Sequence, residues 1–219
     1  MPSRTLNRLV WPALLVLILV LGFKTRDTFE VLFEGIGKLD VRPPAAEGTV
    51  YLRWRGKIDA PMESRIADAF ARYRAESRTV VLSLSSSGGS LDHGAMVMRL
   101  LQKIGETHKV ETVVEAGSRC ASMCVPVYLQ GQRRTAAASA RFMFHEVSFR
   151  EVLASEDLAV PATATAKATD RFLNAYFKPA GVPEAWIRQV RTDMTGGNDI
   201  WKTARELVDE DAGIVQQVF

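Results

Sequence analysis

The sequence predicts an α/β domain on a parallel sheet, preceded by a single N-terminal transmembrane helix. Three observations carry that expectation. Short apolar runs at residues 79–84, 110–114 and 142–145 are bounded by polar residues, as buried strands are. Between them, residues 62–73 and 91–104 repeat apolar side chains at helical spacing. Strand–helix alternation of this kind argues for parallel pairing with right-handed crossovers. Finally, residues 9–23 form an unbroken apolar run behind Arg4 and Arg8, with no acidic residue before it.

That run is short for a bilayer span of roughly 17–25 residues, but Arg8 and Lys24 can snorkel to lengthen it. A cleaved signal peptide has the same charged start and ends in an Ala-x-Ala-like site. Leu21-Gly22-Phe23-Lys24-Thr25-Arg26 offers none, so an uncleaved anchor is the expectation. The basic, acid-free start puts the N-terminus in the cytoplasm and the remaining chain outside, periplasmic in a Gram-negative bacterium. The expected organisation is residues 1–27 as anchor or signal sequence, 28–47 as linker, and 48–219 as the domain.

Residues 28–46 read as a connector, ended by Pro43-Pro44. Residues 49–54 alternate as a first strand. The helix at 62–73 turns Ile66, Ala67, Phe70 and Ala71 inward; the one at 91–104 turns Met96, Leu100, Leu101 and Ile104. Residues 125–129 are apolar enough for a buried helical face. Residues 146–160 read as irregular, 161–176 as Ala/Thr-rich and then helical, and 183–194 as a helix opening on Pro183 and Glu184. Thr195-Gly196-Gly197-Asn198 is a loop, residues 201–209 a short helix, and Gly213-Ile214-Val215 a last strand.

The 219 residues hold one well-buried domain and a short appendage. Apolar content of 47% and charged content of 24% are those of an ordinary globular chain. The net charge of +3 comes from scattered basic residues, which argues against a nucleic-acid partner. No cofactor is expected. Two cysteines cannot build a four-ligand structural zinc site, so no metal is expected either.

The chemistry gathers around Gly117-Ser118-Arg119-Cys120-Ala121-Ser122-Met123-Cys124. Ser122 falls where a strand hands over to a helix, beside unpaired N–H groups that favour developing negative charge. A hydroxyl needs an adjacent base to attack a carbonyl at neutral pH, and His145 ends the next apolar strand. Upstream, Ser85-Ser86-Ser87-Gly88-Gly89-Ser90 follows a strand directly. Paired glycines let the backbone turn sharply and present N–H groups. Gly89 and Met123 are therefore candidate oxyanion-hole donors. Serine caps, partly buried histidines at strand ends and Gly-Gly turns are each commonplace alone; their combination in this order is the signal.

The order Ser-Ser-Gly-Gly, Ala-Ser-Met, Phe-Met-Phe-His resembles the Clp protease proteolytic subunit. It is most similar to the membrane-anchored or periplasmic branch of the Clp-protease-like serine peptidases, in the wider ClpP/crotonase group. That branch carries a Cys-x-Ser-x-Cys arrangement like Cys120-Ala121-Ser122-Met123-Cys124. The resemblance runs from about residue 48 to the C-terminus. It implies Ser122 as nucleophile, His145 as base, and the Gly89 and Met123 N–H groups as the oxyanion hole. It also implies a peptide or protein substrate, a homo-oligomer, and an insertion used for oligomer contacts near residues 146–160. Two positions depart from the pattern: Ser87 stands where the family has proline, and Cys124 where it has a smaller residue.

Around Ser122 the cysteines lie four residues apart. In a helical turn their Cα atoms fall about 6 Å apart, within disulfide reach. Outside the cytosol a bridge is expected; in the cytosol the pair would be two small buried thiols. The triad acid is either Asp193 or Asp199, and the family's aspartate, at the end of the helix before the loop, fits Asp193. The expected function is thus an ATP-independent, membrane-anchored serine endopeptidase. Its rivals are a catalytically silent scaffold on the same fold and a Ser–Lys dyad using Lys167.

Overall fold

The computed structural model describes residues 37–44, 48–148 and 161–219. The expected anchor at 9–23, most of the connector, and residues 149–160 lie outside the described residues. Among those described, no helix is long and apolar enough to cross a membrane.

In chain order the elements are β1 (Lys38–Arg42), β2 (Thr49–Arg55), α1 (Met62–Tyr73), β3 (Thr79–Ser85), α2 (Leu91–Gly105), β4 (Lys109–Val114), β5 (Arg119–Ala121), α3 (Cys124–Tyr128), β6 (Arg133–Ala136), β7 (Arg141–Phe144), α4 (Ala162–Tyr176), α5 (Glu184–Met194), β8 (Ile200–Thr203), α6 (Ala204–Asp209) and β9 (Gln217–Val218). Six strands form one sheet in the order β1-β2-β3-β4-β6-β9. All its pairings are parallel except β1 on β2. The expected parallel α/β core is therefore present, with an antiparallel edge.

A second, three-stranded sheet runs β5-β7-β8, with β5 parallel and β8 antiparallel to β7. Its register places Arg119, Cys120 and Ala121 opposite Arg141, Phe142 and Met143. Because the pairing is parallel, both strands deliver their C-terminal ends to one edge. Ser122 and His145 each follow one of those ends.

The core fills the space between sheets and helices. Val50, Leu52 and Trp54 of β2 alternate inward, as do Val80, Leu82 and Leu84 of β3. Tyr128 and Phe142 meet edge to face at 5.2 Å beneath the β5–α3 corner. Truncating Phe142 to alanine there would cost about 3–5 kcal/mol. Arg134 is buried to 8% exposure, and its guanidinium donates to the carbonyls of Gly131, Ala180, Gly213 and Ile214. Burial pulls its pKa down, while those four acceptors satisfy the donors that burial would otherwise orphan.

Five details differ from the sequence expectation. On α1 the buried face is Met62, Ile66 and Ala69, and Ala71, expected inward, is exposed. Residues 38–42, read as connector, form the edge strand β1. Residues 201–203 are strand rather than helix, and α6 starts only at Ala204, where Thr203 and Glu206 close a capping box. The last strand is Gln217–Val218; Ile214 and Val215 are buried in the loop that Arg134 holds. On α2 the inward face is Gly94, Val97, Met98, Leu101 and Ile104, while Met96 is 41% exposed.

Candidate active site

Ser122 sits between the three-residue strand β5 and the five-residue helix α3. Its φ of 53° lies in the left-handed region, which costs a non-glycine residue about 1 kcal/mol or more. The strain is held by main-chain bonds on every side. Ala121 N–H donates to Ser86 O at 3.0 Å, Ser122 N–H to Met143 O at 2.9 Å, and Val125 N–H to Ser122 O at 3.0 Å. The bond to Met143 ties the serine to β7 two residues before His145.

Cys120 and Cys124 form a disulfide with Cα atoms 5.1 Å apart. The bridge spans a strand–helix corner rather than one helical turn, because Cys120 belongs to β5 and Cys124 opens α3. Both cysteines are fully buried.

The glycine pair packs directly on this corner. A Cβ on Gly88 would lie 2.7 Å from the Ser122 Cβ, and one on Gly89 would lie 2.2 Å from Ile58 O. Only glycine allows both approaches. Gly88 N–H donates to the buried Ser86 hydroxyl at 3.1 Å, and Gly88 O accepts from Ile58 N–H at 2.7 Å. Ser90 N–H donates to Ile58 O. Gly89 is bridged to Ile58 through its neighbours' groups, and its own N–H has no acceptor among the described residues. Met123 N–H is also without an acceptor among the described residues. Gly89, Met123 and Ser122 all line one cleft of about 620 Å³.

His145 completes the pair: its Nε2 lies 2.7 Å from Ser122 Oγ. Its Nδ1 lies 2.5 Å from the main-chain carbonyl of Glu146. The Glu146 carboxylate points elsewhere, accepting from Arg191 at 3.2 Å and from Gly197 N–H at 3.2 Å. Asp193 makes no hydrogen bond to His145; its Oδ1 accepts from Gln189 Nε2 at 2.8 Å. Asp199 is exposed, and so is Lys167, which makes no bond to Ser122. The structure thus brings Ser122, His145, Gly89 and Met123 together, and leaves Asp193, Asp199 and Lys167 off the imidazole. Sequence reasoning missed Ser86, which locks Gly88, and the Glu146 carbonyl. Ser86 stood in the serine stretch just after β3, with nothing in the sequence to mark it as buried; a main-chain acceptor leaves no sequence signal.

A hydroxyl on an imidazole, facing two unpaired N–H groups at the mouth of a cleft, is the arrangement of a serine-type peptidase. The chain belongs to the Clp protease family: residues 54–219 match the family model described as Clp protease. With the family comes the serine-type peptidase class, whose members typically form oligomers and act on peptides. Comparison with curated proteins gives no match. Among solved structures, a mutant ClpP1 from Listeria monocytogenes is similar in fold. Its TM-score is 0.58 at 20% identity, over 79% of this chain and 91% of that one.

Proposed function

We propose that this chain is a membrane-anchored serine endopeptidase that cleaves peptides or loosely folded proteins without an ATP-driven unfoldase. The observation that carries the chemistry is the 2.7 Å approach of His145 Nε2 to Ser122 Oγ. Ser122 attacks the scissile carbonyl while His145 takes its proton. The resulting oxyanion faces the N–H groups of Gly89 and Met123. His145 then returns the proton to the leaving amine, and water, deprotonated by the same imidazole, hydrolyses the acyl-enzyme. Leu91, Met143, Phe172 and Phe177 line the cleft and favour an apolar side chain beside the scissile bond.

Two groups claim the role of holding Nδ1–H. Asp193 fits the family pattern; the Glu146 carbonyl is the acceptor bonded in this geometry. The geometry favours the carbonyl.

Anchoring rests on the apolar run at 9–23 behind Arg4 and Arg8, with residues 1–27 as anchor, 28–47 as linker and 48–219 outside the cytoplasm. The disulfide in the domain supports an oxidising compartment, where ATP is not expected. A reporter fused after Phe219 that works only in the cytoplasm would overturn that topology. The decisive chemical experiment is a fluorophosphonate probe: the wild type should label stoichiometrically and Ser122→Ala not at all. An unlabelled wild type would point to a silent scaffold.

A further inference from the structure

Helix α4 buries one polar side chain completely. Thr169 is 0% exposed, and its Oγ1 accepts the Val147 N–H at 2.9 Å. It makes no other hydrogen bond among the described residues. A valine would fill the same space, so packing alone does not call for a hydroxyl there.

What the hydroxyl does follows from peptide geometry. The Glu146–Val147 peptide is a single rigid plane, and in the trans form its N–H and C=O point to opposite sides. Fixing Val147 N–H on Thr169 therefore aims the Glu146 carbonyl the other way, where it meets His145 Nδ1 at 2.5 Å. A carbonyl only accepts, so Nδ1 must carry the proton. That leaves Nε2 as the free acceptor facing Ser122 Oγ at 2.7 Å. The Glu146 side chain is held separately, by Arg191 and Gly197 N–H, and does not compete for the imidazole.

We propose that Thr169 is a positioning residue for the base: through Val147 N–H it orients the Glu146 carbonyl, which sets the tautomer and ring angle of His145. The inference rests on the reading of Ser122 and His145 as nucleophile and base. Thr169 touches neither the substrate nor the imidazole. It acts across 22 residues of sequence through one peptide unit.

The test uses the full chain in detergent, with Thr169→Val, which keeps shape and removes the hydroxyl, and Thr169→Ser, which keeps the acceptor. Kinetics on a fluorogenic peptide and the rate of fluorophosphonate labelling are measured beside a melting curve. Thr169→Val should lower kcat and the labelling rate about 10- to 100-fold, the range typical of partners that orient a functional histidine. KM should stay within about twofold, since substrate binding is untouched. Thr169→Ser should recover most of the rate. Wild-type kcat in Thr169→Val would overturn the inference. So would losses of kcat and KM that track the melting temperature and are not rescued by serine, because Thr169 would then serve packing alone. A wild type that takes no probe would remove the reading beneath the inference, and the inference with it. A labelled wild type with an indifferent Thr169→Val would remove the inference only.

Discussion

Ser122 stands at a corner built from main-chain hydrogen bonds, whereas His145 hangs beyond its strand on side-chain ties. Around the serine, Ser86, Met143 and Val125 hold the backbone through peptide groups, and the Cys120–Cys124 bridge closes the turn. Around the histidine, Thr169 Oγ1 holds the next peptide, and Arg191 joins Glu146 to Asp170 and Thr195. Main-chain bonds do not depend on which side chain stands at a site, but close packing does. The nucleophile side should therefore fail by steric intrusion, and the base side by conservative polar changes that leave shape intact.

The largest expected effect falls on the nucleophile side. Ser122→Ala should remove probe labelling and lower kcat by about 10⁴-fold or more, as loss of a nucleophile does elsewhere. The strained φ of 53° adds a second readout. Ser122→Gly should be more stable than Ser122→Ala by about 1 kcal/mol, because glycine adopts that conformation freely. Equal melting temperatures would mean that the corner holds no such strain.

Gly88→Ala comes next. Its Cβ would enter at 2.7 Å from the Ser122 Cβ and 2.9 Å from Ala121 O, at a φ of 102°. The loop must move, carrying the Gly89 donor with it, and losing one oxyanion donor costs about 10²–10³ in kcat. Near wild-type kcat in this variant would break the steric account of the nucleophile side.

On the base side, Asp193→Asn separates the two claimants for Nδ1–H. With the Glu146 carbonyl as acceptor, kcat should change less than about tenfold, since among the described residues the Asp193 carboxylate bonds only to Gln189. A loss of about 10⁴-fold, the cost of a missing triad acid, would assign the role to Asp193 in turnover. A large effect from Asp199→Asn instead would move it there.

The same contrast explains what the sequence disclosed. Ser122 and His145 were legible because each directly follows a strand, β5 or β7, and Gly88-Gly89 because the pair follows β3 within four residues; chemistry at strand ends is visible in one dimension. Helix α1 was legible in its bounds, but its buried face is Met62, Ile66 and Ala69, and Ala71, counted in the apolar stripe, is exposed. Strand β1 was not: Lys38, Asp40 and Arg42 look like a linker, yet edge strands carry such charges routinely. The start of α6 was written in Thr203-Ala204-Arg205-Glu206, a capping-box signature that places residues 201–203 before the helix. The contacts that aim His145 were out of reach. Thr169 meets Val147 across 22 residues, and the group it orients is main chain, which has no letter in a sequence.

The smallest expected effect tests whether the base side's polar ties respond to pH. β8 pairs with β7, the strand that leads into His145, and α6 follows β8 directly through the Thr203–Glu206 box. The Glu206 carboxylate accepts from the Thr203 N–H at 2.7 Å and from the Thr203 hydroxyl at 2.9 Å. The backbone bond first, then the hydroxyl bond, hold its pKa below the usual 4.5. A carboxylate with a lowered folded pKa stabilises the fold above its unfolded value, and that contribution is lost as pH falls through the folded one. Thr203→Ala should cost about 1 kcal/mol at neutral pH, the ordinary worth of a helix cap. Glu206→Gln should melt below the wild type at pH 7. As the solution is acidified below about pH 4.5, the two melting temperatures should converge, because both side chains are then neutral. Melting curves in the low-salt buffers where such a surface tie is least screened make the measurement. A difference that stays constant down to pH 3 would mean that the box holds by shape rather than charge. The base side would then resemble the nucleophile side more than its contacts suggest.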